Sequence, residues 1–312
     1  MKTAAETGWR VIGAFEKIVL LLALPAFALS LSTQKPPEKS TVKAGAPSDG
    51  GTTDFIRFVP GRKGEGKLET AIVTYRREDG ATVDLIAAVH VGDRAYYRNL
   101  QKRFETYEAL LYEMIKPQDA EPVPGARPDN LLSVFQRGLK DALALEFQLD
   151  ALDYRKANFV HADVDPATFF RLQREKGESF LSLLFKFMRK EMAREAQGRG
   201  SQMGLFELIQ AFASDDSARS LKLLLARQME DVEAMMAGFE EGDEKGGSVI
   251  VAERNKVAIG ALERVLREGK KRTAIFYGAG HMQDFEKRLR DLGFAKDGGE
   301  WVTAWNIAKR ER

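Results

Sequence analysis

Apolar and polar positions repeat with strand and helix periods along this chain from about residue 54 onward. Two strand patterns come first, over 67–76 and 82–91, and Asp79-Gly80 between them is typical of a tight hairpin turn. The second strand ends in a nearly continuous apolar run, as expected for a strand that is buried on both faces. The pattern therefore predicts a hairpin whose second strand lies inside a sheet.

Helical and strand patterns alternate after the hairpin. Asp93 and Asp165 stand where helix N-caps are expected, Pro166 fits a first helical turn, and Gly269 fits a helix end. In chain order the predicted elements are a helix over 93–106, a strand over 109–115, helical sequence from a Pro-rich loop (117–128) to about 154, a strand over 158–162, a helix over 250–268, a strand over 273–277, a helix to 292 and a strand over 301–307. This alternation predicts an α/β fold with a central mixed β-sheet flanked by helices.

A long helical pattern covers residues 166–240, where Leu, Phe and Met recur among charged residues and no strand signal interrupts them. We expect a helical insertion that covers the sheet. Its Met and Phe stripes over 179–239 are the usual marks of packing. A membrane-surface role for 180–192, which carries three basic residues, is the alternative.

The first 53 residues do not show the pattern of a folded domain. An apolar run over 18–31 has the length of the core of a signal peptide, and Ala26-Phe27-Ala28 resembles a cleavage site. Residues 1–31 are therefore expected to be a signal peptide or a membrane anchor, and the Ser-, Pro- and Gly-rich residues 32–53 a flexible linker. The α/β domain is expected over 54–312. This arrangement predicts an extracytoplasmic protein that is secreted, periplasmic or held at a membrane by its N-terminal segment.

Composition limits the chemistry of any site. Lys and Arg number 48 against 46 Asp and Glu, and the two signs are interspersed, so no basic field favours nucleic acid. The chain has no Cys, which excludes disulfides, thiolate metal sites and Cys nucleophiles. A metal site would need His, carboxylate, amide or water ligands. The chain has three histidines, His90, His161 and His281.

All three histidines stand at or near predicted strand ends, and Glu113 lies near the end of another strand. In open α/β sheets, sites form outside the carboxyl ends of the strands. Imidazole serves as a metal ligand or a general base, and a carboxylate holds a cation or pairs with the base. A lone histidine at a strand end is more often structural, and Glu113 alone could be a surface residue. Together the four positions predict one crevice that is catalytic or binds metal.

The helix that begins near residue 250 adds two candidates. Asn255 shares one helix face with Ile259, Leu262 and Leu266, so its amide is expected to point inward. A buried amide needs hydrogen-bond partners, which a site can provide. Arg254 could pair with a carboxylate or stabilise developing negative charge, or it could form a surface ion pair.

These residues resemble the motifs of the TraB/GumN/Tiki family, which is related to erythromycin-esterase-like folds. That family has two G-x-x-H motifs, a Glu at a strand between them and an Arg-Asn pair at a helix start. The matching positions here are Ala87-Ala88-Val89-His90, Glu113, Arg254-Asn255 and Gly278-Ala279-Gly280-His281. The resemblance spans roughly residues 70–292. Ala87 departs from the family's Gly, and His161 matches none of the four motifs.

The resemblance implies a hydrolase. Tiki members are similar to metal-dependent proteases that use Mn- or Co-type cations, so His90, Glu113 and His281 are expected to hold a divalent metal, with Zn as another candidate. Arg254 would then stabilise an oxyanion and Asn255 would orient a ligand or water. The substrate class would be peptides or small molecules. One alternative is a metal-free esterase-like hydrolase with a His base paired to Glu113. The other is a non-catalytic binding or sequestering protein that uses the insertion as its recognition surface.

Overall fold

The computed structural model describes residues 54–62, 64–117, 143–177, 210–211, 213–241 and 248–308. The predicted leader (1–31) and linker (32–53) lie outside the described residues, as does 178–209 of the predicted insertion. No helix among the described residues is long and apolar enough to cross a membrane.

Seven of the described strands form one mixed sheet. The strands of the chain are β1 (Ile56–Pro60), β2 (Gly66–Arg76), β3 (Thr82–Ala88), β4 (Val91–Gly92), β5 (Ala109–Tyr112), β6 (Glu146–Phe147), β7 (Phe159–His161), β8 (Arg272–Gly278) and β9 (Ala295–Ile307). The helices are α1 (Arg94–Phe104), α2 (Gln148–Ala151), α3 (Pro166–Lys176), α4 (Ser217–Glu241), α5 (Arg254–Arg267) and α6 (Met282–Asp291), with a π-helical turn Val249–Glu253 before α5 and a 3₁₀ turn Ala279–His281 before α6.

The sheet has an antiparallel half and a parallel half. Strands β1 and β3 both pair with one edge of β2, while β9 runs along its other edge, and all three pairings are antiparallel. From β3 the order continues through β8 and β5 to β7, and each of these pairings is parallel. The predicted mixed α/β fold is therefore confirmed.

The hairpin and the strands of the parallel half follow the predicted pattern. The turn between β2 and β3 has Gly80 at φ 83°, a left-handed conformation that glycine adopts without the steric cost of a Cβ. Leu85, Leu111 and Ile275 are fully buried in these parallel strands. Full burial of each such side chain contributes about 1.5–3 kcal/mol, which explains why the apolar runs predicted their positions.

Two strands end earlier than the sequence predicts. Strand β3 stops at Ala88, where carbonyls on either side of the strand end turn to α1. The Tyr96 hydroxyl donates to the Ala87 carbonyl at 3.2 Å, and the Tyr97 hydroxyl donates to the Val89 carbonyl, just beyond the strand, at 2.8 Å. Strand β5 stops at Tyr112 rather than at 115. His90 and Glu113 therefore lie just beyond their strands.

Two local predictions need correction. Asp93 is the N-cap residue of α1, as predicted, but its side chain makes no cap hydrogen bond. The carboxylate instead accepts from Lys222 Nζ at 3.0 Å and from the Asn306 backbone N–H at 2.6 Å, which ties α1 to α4 and β9. Residues 146–147, predicted helical, form strand β6, because they pair with Val91–Gly92. The Asp165 cap prediction is confirmed, since its carboxylate accepts from Thr168 N–H at 3.0 Å.

The described part of the insertion is helical but not continuous. Helix α3 ends at Gly177, whose φ of 64° is left-handed. Helix α4 contacts β1, β2 and β9 of the sheet, and it also contacts the 3₁₀ turn that carries His281. This helix therefore covers the sheet, as predicted, and borders the end of β8.

Candidate functional site

The four parallel strands bring their carboxyl ends to one edge of the sheet. Ala88 of β3 pairs with Gly278 of β8, and Tyr112 of β5 pairs with Phe276 of β8 and with His161 of β7. The residues that follow these strand ends therefore lie near one another, as the strand-end argument predicts.

Three of the predicted site residues surround Gly278. A Cβ placed on Gly278 would lie 3.4 Å from Oε2 of Glu113, 3.7 Å from Nε2 of His90 and 3.9 Å from Cδ2 of His281. The space that a larger side chain would fill is thus bordered by two imidazoles and a carboxylate. Glycine at this position keeps that space open.

Glu113 is buried, and both of its oxygens accept hydrogen bonds. Oε1 accepts from Nη2 of Arg254 at 2.8 Å, and Oε2 accepts from the Gly278 backbone N–H at 2.7 Å. Burial alone would raise the pKa of Glu113, but the nearby charge of Arg254, reinforced by His281 and His90, lowers this pKa to about 2. The carboxylate is therefore ionised at neutral pH.

Arg254 is held between two carboxylates. Its Nε donates to Oδ1 of Asp163 at 3.0 Å and its Nη2 to Oδ2 of the same residue at 2.6 Å, while Nη2 also reaches Glu113. Arg254 is only 3% exposed and Asp163 1%. Such planar two-point pairing is the strong form of an arginine–carboxylate contact. Of the three roles left open for Arg254, the geometry provides the pairing with carboxylates, and its burial excludes a surface ion pair.

The π-helical turn explains how Arg254 and Asn255 both point inward. Ser248 caps this turn by accepting from the Val251 backbone N–H at 3.2 Å, and the turn passes directly into α5 at Arg254. Widened turns of this kind recur at functional sites, where they redirect side chains. Asn255 is fully buried, as its helix face predicts.

His281 lies opposite Glu113, and its ring is held by Asn255. Nδ1 of His281 lies 2.7 Å from Oδ1 of Asn255. The amide Nδ2 of Asn255 is identified by its two partners, both acceptors: the His281 carbonyl at 3.0 Å and Oδ2 of Asp284 at 2.8 Å. Because Oδ1 can only accept, Nδ1 of His281 carries the ring proton, and Nε2 presents its lone pair.

The free edge of the His281 ring faces the carboxylate, with Nε2 3.5 Å from Oε1 of Glu113. Burial lowers the pKa of His281 to about 4, so the ring is neutral at neutral pH. A lone pair of His281 thus faces an ionised oxygen of Glu113. Tyr277 and Phe285 pack against the imidazole at centroid distances of 5.1 and 6.4 Å and complete its apolar surround.

His161 does not join these three residues. Its Nε2 lies 2.6 Å from the Met114 carbonyl, so Nε2 carries the proton and donates, and its ring packs against Tyr112 at 5.7 Å. Burial lowers its pKa as well. Its strand-end position places it at the same sheet edge, but its hydrogen bond is made to the backbone that follows Glu113.

The donor chemistry of the site suits a divalent cation, although no three-ligand cluster is assembled. Imidazole nitrogens and a carboxylate are ligands for Zn-, Mn- and Co-type ions, and a ligating histidine usually donates its other ring N–H to an oxygen, as His281 does to Asn255. Among the described residues, no group of three or more His, Asp or Glu side chains is arranged to hold a metal ion. The fit therefore rests on donor type and on the His281–Glu113 pair.

Three residues of this site were not predicted from the sequence. Asp163 follows β7 by two residues, in the run His161-Ala162-Asp163, and a polar residue just after a strand was the available signal. Asp284 lies three residues after His281 and Arg288 four further on, a helical spacing that is common and carries little information alone.

No family model, curated protein or solved structure matches this chain.

Proposed function

We propose that this chain is a hydrolase, with peptides as its first candidate substrates, and that a divalent cation of Mn, Co or Zn type assists it at His90, Glu113 and His281. One observation carries the proposal: Nε2 of His281 lies 3.5 Å from Oε1 of Glu113, and the contact of Nδ1 with Oδ1 of Asn255 at 2.7 Å leaves Nε2 without the ring proton. Two buried acceptors at this distance are stabilised by a proton or a cation between them. Peptide substrates and an extracytoplasmic location rest on the motifs and the N-terminal segment.

The residues of this chain prepare the site before any substrate arrives. Arg254 keeps Glu113 ionised, and the Gly278 N–H orients its second oxygen. Asn255 holds the His281 ring so that Nε2 stays unprotonated. A cation bound here would supply Lewis acidity and lower the pKa of a bound water toward neutrality. The proposal assigns Arg254 to holding Glu113, because its Nε and Nη2 already donate to carboxylates.

A metal-free hydrolase is the second candidate, and the Arg254–Glu113 contact favours it. The guanidinium already places a positive charge 2.8 Å from Oε1 of Glu113, where a cation would also bind. In this case Nε2 of His281 accepts a proton from water, the hydroxide attacks the substrate carbonyl, and the Glu113 carboxylate stabilises the imidazolium. The proton then passes to the leaving group, so that the ring returns to its neutral form.

The test measures metal content and hydrolysis on the purified full chain. A fluorogenic peptide library and simple esters serve as substrates, after chelation and after addition of Mn²⁺, Co²⁺ or Zn²⁺. We expect chelation to abolish activity, one of the cations to restore it, and His281→Ala to lower kcat/KM by at least about 100-fold. The matched control is His161→Gln, which alters a histidine outside the group around Gly278.

The outcomes separate the candidates. Activity that survives chelation but is lost in His281→Ala supports the metal-free mechanism. If the protein binds none of the three cations, and folded His281→Ala keeps every activity of the wild type, both mechanisms are refuted. Loss of activity in His161→Gln to the same extent as in His281→Ala would contradict the placement of the site around Gly278.

A further inference from the structure

A chain of hydrogen bonds leads from His281 through Asn255 to a residue on α6 that no sequence motif assigned. Nδ1 of His281 donates to Oδ1 of Asn255 at 2.7 Å, and Nδ2 of Asn255 donates to Oδ2 of Asp284 at 2.8 Å. The same oxygen of Asp284 accepts from Nε of Arg288 at 2.6 Å. We propose that Asp284 is a positioning residue that fixes the ring tautomer of His281 by fixing the amide of Asn255.

The argument begins with the amide of Asn255, whose two ends could exchange by a half-turn. In the observed orientation both amide protons are used, one on the His281 carbonyl and one on the Asp284 carboxylate. A half-turn would bring Oδ1 against two acceptors, one of them charged, in a place where Asn255 is fully buried. A hydrogen bond to a charged group is stronger than one between neutral groups, so Asp284 contributes most of this preference.

Arg288 keeps Asp284 in place. The two residues lie four apart on α6 and form an ion pair in which the side chains are 23% and 15% exposed. Arg288 also lies against the π-helical turn, with Nη2 3.4 Å from the Ala252 carbonyl. The carboxylate is thus anchored from its own helix and from the turn that introduces Asn255.

The tautomer decides what the His281–Glu113 pair can accept. With the proton on Nδ1, the lone pair of Nε2 faces Oε1 of Glu113 and can take a proton from water or bind a cation. With the proton on Nε2, the ring would instead donate to Glu113, and neither process could occur at that nitrogen. This consequence rests on the proposed function, whereas the tautomer itself can be measured without any substrate.

The experiment records long-range ¹H–¹⁵N correlations of the histidine rings in the full chain, labelled with ¹⁵N-histidine and treated with a chelator at neutral pH. The chain has three histidine rings. The signals that disappear in His161→Gln and in His281→Gln belong to those two rings, and the remaining signals belong to His90. The variants are Asp284→Leu, which removes the acceptor, Asp284→Asn, which keeps one acceptor oxygen, and Asp291→Leu, a matched change at an exposed position on the same helix.

We expect His281 to show a protonated Nδ1 and an unprotonated Nε2 in the wild type, in Asp284→Asn and in Asp291→Leu. In Asp284→Leu the ratio of the two tautomers should shift toward Nε2–H by about tenfold or more, the effect of one hydrogen bond to a charged group. Hydrolysis, where it is found, should fall by about 10- to 100-fold in the same variant.

Three outcomes would overturn the inference: a wild-type His281 protonated on Nε2, an unchanged tautomer in folded Asp284→Leu, or an equal shift in Asp291→Leu. If Asp284→Leu does not fold, Asp284→Asn decides. Retention of the Nδ1–H signal of His281 in Asp284→Asn supports the inference, because one acceptor oxygen is kept. Loss of that signal contradicts the inference. A wild type without hydrolase activity but with the expected tautomer refutes the proposed function and leaves the role of Asp284 standing.

Discussion

Nε2 of His281 and Oε1 of Glu113 face each other at 3.5 Å, and neither atom carries a proton at neutral pH. Oε1 also accepts from Nη2 of Arg254, whereas the lone pair of Nε2 is what the proposed function assigns to a proton or a cation. The predictions below test the parts of the structure that hold these two atoms together.

Gly278→Ala should close part of the site without unfolding the protein. The added Cβ would sit at ordinary contact distances, 3.4 Å from Glu113 and 3.7 Å from His90, and the backbone φ of −53° suits alanine. We expect a change in unfolding free energy below about 1 kcal/mol, with hydrolysis or cation binding reduced at least about tenfold. Urea denaturation and kinetic assays measure the two effects.

The control for Gly278→Ala is Gly260→Ala, at an exposed position within α5 where a Cβ would meet nothing within 4 Å. This change should stabilise the fold by about 0.5–1 kcal/mol and leave the activity alone. Full activity in Gly278→Ala would show that the space beside Gly278 is not used.

Asp163→Asn should destabilise the fold strongly although the change is small. Arg254 would lose one of the two charges that balance it at a buried position, and removal of one partner from a buried pair costs about 3–5 kcal/mol. The matched change is Asp297→Asn, whose partner Arg76 is exposed; its cost should stay below about 1 kcal/mol. Equal costs in chemical denaturation would contradict the assigned role of Asp163.

Arg254→Lys should also destabilise the fold and disturb Glu113. One ammonium group cannot reproduce the two-point contact with Asp163 together with the contact to Glu113. We expect a loss of about 2–4 kcal/mol and at least a tenfold fall in hydrolysis. Arg76→Lys at the exposed pair with Asp297 serves as the control. If the Arg254→Lys protein is fully active and as stable as the wild type, the site needs only a positive charge at this position and not the two-point contact of the guanidinium.

After treatment with a chelator, the unfolding free energy of the protein should decrease as the pH is lowered from 6.5 to 4.5. His281 should account for much of this decrease. Burial lowers the pKa of His281 from 6.5 to about 4, so the unfolded chain binds this proton more tightly and acid favours unfolding across that interval. Glu113, whose folded pKa is about 2, contributes its loss only below about pH 4.5. His281→Gln should therefore flatten the stability curve over this interval by about 2–3 kcal/mol. Parallel curves for the variant and the wild type would contradict a buried, neutral His281.

The sequence by itself determined the α/β architecture and the set of candidate residues. Apolar runs such as 85–89 and 274–277 predict buried strands because a central parallel strand needs apolar side chains on both faces. The carboxyl ends of parallel strands meet at one edge, so the sequence predicts that His90, Glu113 and His281 lie together. Helical spacing likewise predicts the inward direction of Asn255, which is fully buried.

Only the tertiary structure decided which side chains form hydrogen bonds and ion pairs with the site residues. Asp163 and Arg254 are 91 residues apart, and Glu113 and Arg254 are 141 apart, so no local spacing encodes their contacts. At the early end of β3 the carbonyls accept from Tyr96 and Tyr97, and the register of β5 against β8 ends at Tyr112 and Phe276; both are properties of the packed sheet. Local periodicity reports which face of an element is buried. The protonation and orientation of His281 depend on atoms that only folding brings together.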